Sequence, residues 1–507
     1  MPFPRTIFVL VLAPSICLSQ QARPPLHRQP HPRPDPVMLT SDDVSAVVQA
    51  ASSSVNSDAM VIAVTDRQGD ILAIYKKPSA PPTSAANFGV QADTKEVAVA
   101  LARTASFFSN DQAPLSSRTV RYISGIHFPP GINYTSNAPL YGIENTNRGC
   151  PFNAVYIQGQ DFPPARSIDG VQPGLGILTG KADVNDSDPT AVNPGGVPLY
   201  KQGVMVGGVG VAGVTPDAAE FAAFTGAVGA GFGPNPAPPG VVIINGIALP
   251  FVNQITRPAG YAAGSADGAY ALGPLSSPKP PPEGDLVAPR AGPVGGLTQD
   301  DVQGIINAAV SEANLTRAVI RLPIGSRARM VMAVSDLDGT IIALHRMADA
   351  TVFSIDVAVA KARNVIFFSG PNRTPNDLPG VPMGTAVTNR TIGFGAQPIY
   401  PPGIDHTAPG PFFQLYQFDT LNPCTQGSQA ANPNQNGIVF FPGALPLYKN
   451  GVLVGGLGVS GDGVDQDDFV TSAGATGFEA PASIHADQII DQGVRLPYLK
   501  FPQNPTY

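Results

Sequence analysis

Apolar runs punctuated by glycine turns recur along the chain in a fixed order. Leu39-Thr-Ser-Asp-Asp-Val opens the first cycle. Thr40 is a candidate N-cap there, and the acids that follow fall in a first helical turn, where the helix dipole favours them. Val61-Ile-Ala-Val-Thr-Asp and the apolar stretch beyond Gly69 predict two strands joined by a turn. Asp93-x-x-Glu96 then starts a second helix, with Asp93 in place of the Ser or Thr of a capping box. A long loop-rich insert follows. A hairpin turning at Gln202-Gly203, a short helix and an extended segment complete the cycle.

The same cycle is then written again. Leu297-Thr-Gln-Asp-Asp-Val repeats the opening, with Thr298 as N-cap, and Val331-Met-Ala-Val-Ser-Asp repeats the first strand before a turn at Gly339. Val97-Ala-Val-Ala-Leu-Ala-Arg returns as Val357-Ala-Val-Ala-Lys-Ala-Arg, and Pro129-Pro-Gly-Ile as Pro401-Pro-Gly-Ile. The run from Pro198 through Gly213 returns from Pro446 through Gly461, now turning at Asn450-Gly451. Even Leu249-Pro-Phe-Val has a counterpart in Leu496-Pro-Tyr-Leu. Self-similarity of this kind means two copies of one structural unit. They are expected at 38–258 and 297–507, separated by a Pro/Gly-rich linker at 259–296. Helices alternating with antiparallel hairpins predict an α+β fold in each copy.

Composition sharpens this picture. With 43% hydrophobic residues the chain can build real cores, while only 13% are charged. The 54 glycines and 55 prolines point to many turns rather than disorder, which needs low hydrophobicity and high net charge. A net charge of −7 without a Lys/Arg cluster argues against nucleic-acid binding. No apolar run beyond the N-terminus is long enough to span a membrane. The N-terminus itself reads as a signal peptide over 1–19: Arg5 precedes an apolar stretch from Ile7 to Leu18, and Ser19 suits a cleavage site. A Pro-rich segment occupies 20–37. An extracytoplasmic protein is therefore expected, periplasmic or secreted.

Ala333-Val-Ser-Asp-Leu-Asp-Gly-Thr-Ile-Ile-Ala-Leu-His-Arg-Met, Ser354-Ile-Asp-Val-Ala-Val-Ala-Lys-Ala-Arg and Gly456-Leu-Gly-Val-Ser-Gly with Asp467 downstream resemble the GlcG/HbpS family of haem-degrading or haem-binding HbpS-like proteins. The first copy keeps the spacing but has Leu101 in place of Lys361. The resemblance implies two tandem profilin-like α/β sandwich domains, each an antiparallel sheet flanked by helices. It also implies an intramolecular pseudo-dimer with a tendency to oligomerise further, and haem or a small anionic ligand as cofactor or partner.

Several motifs carry candidate chemistry. Gly208-Val-Gly-Val-Ala-Gly and Gly456-Leu-Gly-Val-Ser-Gly fit a dinucleotide pattern, yet their alternation says strand, and the positions 20 residues on are Val228 and Thr476 rather than acids. Gly207, Gly208, Gly455 and Gly456 leave one strand face bare, either to admit a helix or as the wall of a ligand pocket. Asp336-Leu-Asp-Gly-Thr imitates the nucleophile motif of a haloacid-dehalogenase-type Mg-dependent phosphatase through Asp336 and Asp338, but the first copy lacks the second acid, which a hairpin turn explains. His127 and His406 flank the shared Pro-Pro-Gly-Ile and are candidate haem ligands, with loop histidines as the alternative. Arg103 and Arg363 share one helical position and suit a carboxylate clamp or an internal pair; Lys361 is a further ligand candidate. No catalytic arrangement recurs in both copies, so an efficient enzyme is not expected; a structural or interaction protein is the other alternative. Cys150 and Cys424 lie in the two inserts at similar distances beyond Pro-Pro-Gly-Ile, and in an oxidising compartment such a pair is expected to close across a pseudo-twofold axis, free thiols being the alternative.

Overall fold

A computed structural model describes residues 36–151, 166–179, 193–234, 242–276 and 278–506. The segment read as a signal peptide lies outside these residues, as does nearly all of the Pro-rich segment after it.

Each copy is built on a five-stranded antiparallel sheet. In the first, helix α1 (Ser41–Ser52) precedes strands β1 (Val61–Asp66) and β2 (Ile71–Lys76), helix α2 (Thr94–Phe108) and helix α3 (Ser117–Ser124). Strands β3 (Gly196–Lys201) and β4 (Val204–Ala212) and helix α4 (Pro216–Phe224) close it. Thr40 caps α1 as the sequence suggests, in a reciprocal capping box with Asp43. The second copy repeats the order: α5 (Gln299–Ala313), β7 (Val331–Ser335), β8 (Ile341–Arg346), α6 (Phe353–Ser369), α7 (Asn389–Gly395), β9 (Ala444–Lys449), β10 (Val452–Ser460) and α9 (Val464–Gly474). Among the described residues of its insert lies helix α8 (Phe413–Leu421).

The edge strand of each sheet comes from the Pro/Gly-rich segment. Strand β5 (Ala269–Leu272) pairs with β2, and β6 (Gly284–Val287) pairs with β8. The two orders are therefore β3-β4-β1-β2-β5 and β9-β10-β7-β8-β6. The segment expected as a linker is tied down further by two equivalent aspartates. Asp66 Oδ2 accepts from Lys279 N at 2.9 Å, and Asp336 accepts from Val294 N at 3.0 Å and Gly295 N at 2.7 Å.

Period-two alternation buries both faces of each sheet. Val61 and Ala63 share a cluster with Val97, Ala98 and Ala102 of α2, whereas Ile62 and Val64 share one with Val44, Val47 and Val48 of α1. The glycines of β4 make the α2 side possible. A Cβ on Gly208 or Gly210 would collide with the carbonyl of Ala102 or Ala98; on Gly456 or Gly458 it would strike Ala362 or Ala358. The helix thus lies against strand backbone, closer than any side chain permits.

The copies meet through their inserts, and Val37–Tyr507 is one compact unit. Two pairs of counterparts touch each other, as residues on a pseudo-twofold axis must. Cys150 and Cys424 form a disulfide with Cα atoms 5.4 Å apart, and Tyr141 stacks on Tyr416 at 5.2 Å. Off the axis, Phe108 of α2 stacks on Phe353 of α6 at 4.2 Å. Asp349 binds Arg67 of the first copy and, at 2.6 Å, Arg321 of its own. Against the pull of burial, these two guanidiniums hold its carboxyl below the usual range.

Candidate functional site

The predicted ligand residues fall into three settings. Arg103 and Arg363 are internal clasps. Their Nε atoms donate to Gly69 O at 3.0 Å and Gly339 O at 2.9 Å, pinning the first hairpin turn of each copy to its central helix. Nη1 of Arg103 reaches Arg166 O at 2.6 Å, and that of Arg363 reaches Asn436 Oδ1 at 2.9 Å. Burial lowers the two pKa values to about 10 and about 9. Lys361 is likewise interior. Its Nζ donates to Asp467 Oδ2 at 2.9 Å and Val459 O at 2.8 Å, over the ring of Phe441. Burial pushes the lysine down and raises Asp467 to about 7.

The two histidines are not equivalent. His127 is fully buried, with Nδ1 3.1 Å from Thr135 O and Nε2 2.6 Å from Oδ1 of Asp405 in the other copy. The other oxygen of Asp405 accepts from Tyr134 N at 2.9 Å. Both imidazole nitrogens of His127 are thus committed to holding the two Pro-Pro-Gly-Ile loops together, so the ring is not free to ligate iron. His406 is exposed, at φ 62° in its loop.

Gly207, Gly208, Gly455 and Gly456 are packed against neighbouring backbone and side chains. Gly208 and Gly456 receive the central helices, while Gly207 and Gly455 abut Thr65 O with Leu39 and Ser335 O with Leu297. The phosphatase pattern dissolves as well. Asp336 is buried and saturated by amides of Val294, Gly295 and Leu337, and Asp338 caps its own turn by accepting from Thr340 N at 2.9 Å. Among the described residues there is no cluster of three or more metal-ligating side chains.

Instead, one cleft of about 970 Å³ opens where the copies meet. The first copy supplies Ile123, Asn137–Leu140 and Ile243–Asn245; the second supplies the 317–321 segment, α7, the start of α9 and the 500–505 tail. This volume is in the range of small-molecule sites. Four cations line it: Arg317, Arg321, Arg390 and Lys500, against one carboxylate, Asp465. That is a local exception in a chain of net charge −7.

The four differ in what they can offer a ligand. Arg321 is held by Asp349 and Asp462. Arg390 is held by Asp468 at 2.5 Å and Asp465 at 2.6 Å. Lys500 is two-thirds exposed and shares Asp465 at 2.9 Å. Among the described residues, no ion pair engages Arg317. Apolar surface borders these charges, with Ile324 67% and Phe501 47% exposed and Phe394 half-buried.

The sequence patterns single out none of Arg317, Arg321, Arg390 and Lys500. Arg390 had a signal: Arg118 occupies the same place after its own capping box and pairs with Glu220, as Arg390 pairs with Asp468. Arg317 and Lys500 have no such recurrence.

The family model described as "Haem degrading protein HbpS-like" matches twice, over residues 39–227 and 297–476. The chain belongs to this family, as two tandem copies of its domain. A comparison with curated proteins finds no match. Among solved structures, the HbpS-like chain is similar to Klebsiella pneumoniae protein ORFY at 20% identity, covering 35% of this chain and 88% of that one, with a TM-score of 0.24. It is similar to a PduOC:heme complex at 21% identity, covering 37% and 96%, TM-score 0.24. A double mutant of Streptomyces reticuli HbpS matches at 20% identity, covering 36% and 85%, TM-score 0.21. Each such neighbour spans about one copy of the tandem.

A haem would find a partial fit in the inter-copy cleft. Carboxylates would meet Arg317 and Lys500, and the ring would meet Phe394, Phe501 and Ile324. No described lining residue is a His, Cys, Met or Tyr, the side chains that ordinarily ligate haem iron.

Proposed function

We propose that this protein is exported and binds haem, or a related planar anionic ligand, in the cleft between its two copies. The observation that carries the reading is the concentration of cations beside exposed apolar side chains in that cleft. Charge-assisted bonds from Arg317 and Lys500 would orient carboxylates, and burial of the ring against Phe501 and Ile324 would supply the non-directional part of the affinity. Family membership supports the choice of haem over other planar anions. The N-terminal signal pattern and the disulfide support export, since such bonds persist in oxidising compartments.

Because the cleft draws on both copies, saturation is expected at one equivalent of haemin per chain. Titration of the purified protein, followed in the Soret band, tests this. A saturable shift at one equivalent is expected; two equivalents would place a site in each copy, and no saturable shift would overturn the reading. Sequencing of the secreted protein is expected to begin at Gln20.

A further inference from the structure

We infer that the cleft recognises the carboxylate-bearing ring and is indifferent to its metal, so that a metal-free dicarboxylate porphyrin is held as firmly as haem. This rests on the cleft reading above and goes beyond it. The polar side chains lining the cleft are guanidiniums, one ammonium, one carboxylate, the hydroxyl of Ser136 and neutral amides of Asn and Gln, Gln466 beside Asp465 among them. Cations repel a ferric centre, and neutral amides are poor ligands for it. The carboxylate, Asp465, is already claimed by Arg390 at 2.6 Å and Lys500 at 2.9 Å.

The described histidines are placed elsewhere. His127 is locked to Asp405. His345 Nδ1 lies 2.7 Å from Asp285 Oδ1 on the edge strand of the second sheet. His485 stacks on Tyr498 at 4.0 Å while its Nε2 lies 3.0 Å from Ala480 O. His406 does not line the cleft.

The charges, by contrast, match two carboxylates. Arg317 has no ion-pair partner among the described residues. Lys500 can leave Asp465 to Arg390 and turn to a ligand without stranding a charge. Two available cations therefore face a ligand class whose members carry two propionates on one edge.

The full chain should be titrated with haemin and with protoporphyrin IX. Tyrosine fluorescence reads both, since the chain has no Trp. Apparent Kd values agreeing within about threefold are expected, with bound haemin showing no six-coordinate low-spin spectrum. Arg317→Glu and Lys500→Glu should each weaken both ligands by about tenfold or more, the scale of a lost charge-assisted bond. Circular dichroism of each variant confirms that it folds. Haemin binding more than about tenfold tighter than protoporphyrin IX, or a low-spin spectrum, would overturn metal indifference while leaving ring binding in place. Binding of both rings unaffected by either substitution would move the site out of the cleft. Failure of both rings to bind would overturn the parent reading and this inference with it.

Discussion

Nζ of Lys361 lies 2.9 Å from Oδ2 of Asp467 in the interior of the second copy, where the first copy places Leu101 and Ala219. One fold thus carries an ion pair and an apolar pair at the same site. Removing one member of a buried pair strands the other, at about 3–5 kcal/mol, whereas an apolar replacement of both is often neutral. Lys361→Leu alone is expected to lower unfolding free energy by about that amount, and Lys361→Leu with Asp467→Ala to recover most of it. Chemical denaturation of the three proteins measures this.

The same pair shapes the pH profile. Burial raises Asp66 and Asp467 from 3.8 to about 7. In the folded state both hold protons that the unfolded chain releases above the ordinary carboxylate value. Stability from these groups is therefore full below about pH 4, falls as pH rises toward 7, and is flat above that. The denaturation midpoint is expected to rise on acidification from pH 7.5 to pH 5. The Lys361→Leu/Asp467→Ala protein should show a shallower rise. An equal slope in both would remove Asp467 as a cause.

The glycine strands give a sharper test of packing against binding. Gly208→Ala and Gly456→Ala would drive a methyl into a helix carbonyl. Each is expected to cost about 1–3 kcal/mol, the usual penalty of overpacking. The affinity of whatever fraction folds should stay unchanged, because neither glycine reaches the cleft. Lost affinity without lost stability would make them pocket walls after all.

The disulfide links residues 274 apart in sequence. Closing so long a loop restricts the unfolded chain strongly, and removal of such a bond typically costs about 2–5 kcal/mol. Cys150→Ser/Cys424→Ser is expected to lower stability by that amount. Mass spectrometry after alkylation without reduction should find neither thiol labelled in the parent protein.

Recurrence made much of this architecture legible. The N-cap at Thr40, the hairpins, the two central helices and the cysteine pairing all left marks that the two copies corroborate. What was hidden did not recur or did not alternate. Strand β5 is exposed at all four residues, so no apolar pattern betrays it, and its setting among prolines and glycines reads as linker. His127 looked like a loop residue beside Pro-Pro-Gly-Ile, yet its partner Asp405 is supplied by the other copy, which no local pattern reveals. Arg317 and Lys500 lie 183 positions apart in numbering and come together only because the C-terminal tail folds back, with Arg317 N donating to Pro505 O at 2.7 Å.

The salt link between Arg67 and Asp349 has a further meaning. In a dimer of identical chains, an interface contact off the axis must occur twice. Here the counterpart of Arg67 is Leu337 and that of Asp349 is Ser79, neither of them charged. Covalent fusion has released the halves from that obligation, so the molecule has a distinct front and back. Arg321, which shares Asp349, also lines the cleft, so the charged lock and the cleft lie on the same side. A chain broken in symmetry this way can present one docking position to a ligand where a dimer of identical chains must present two.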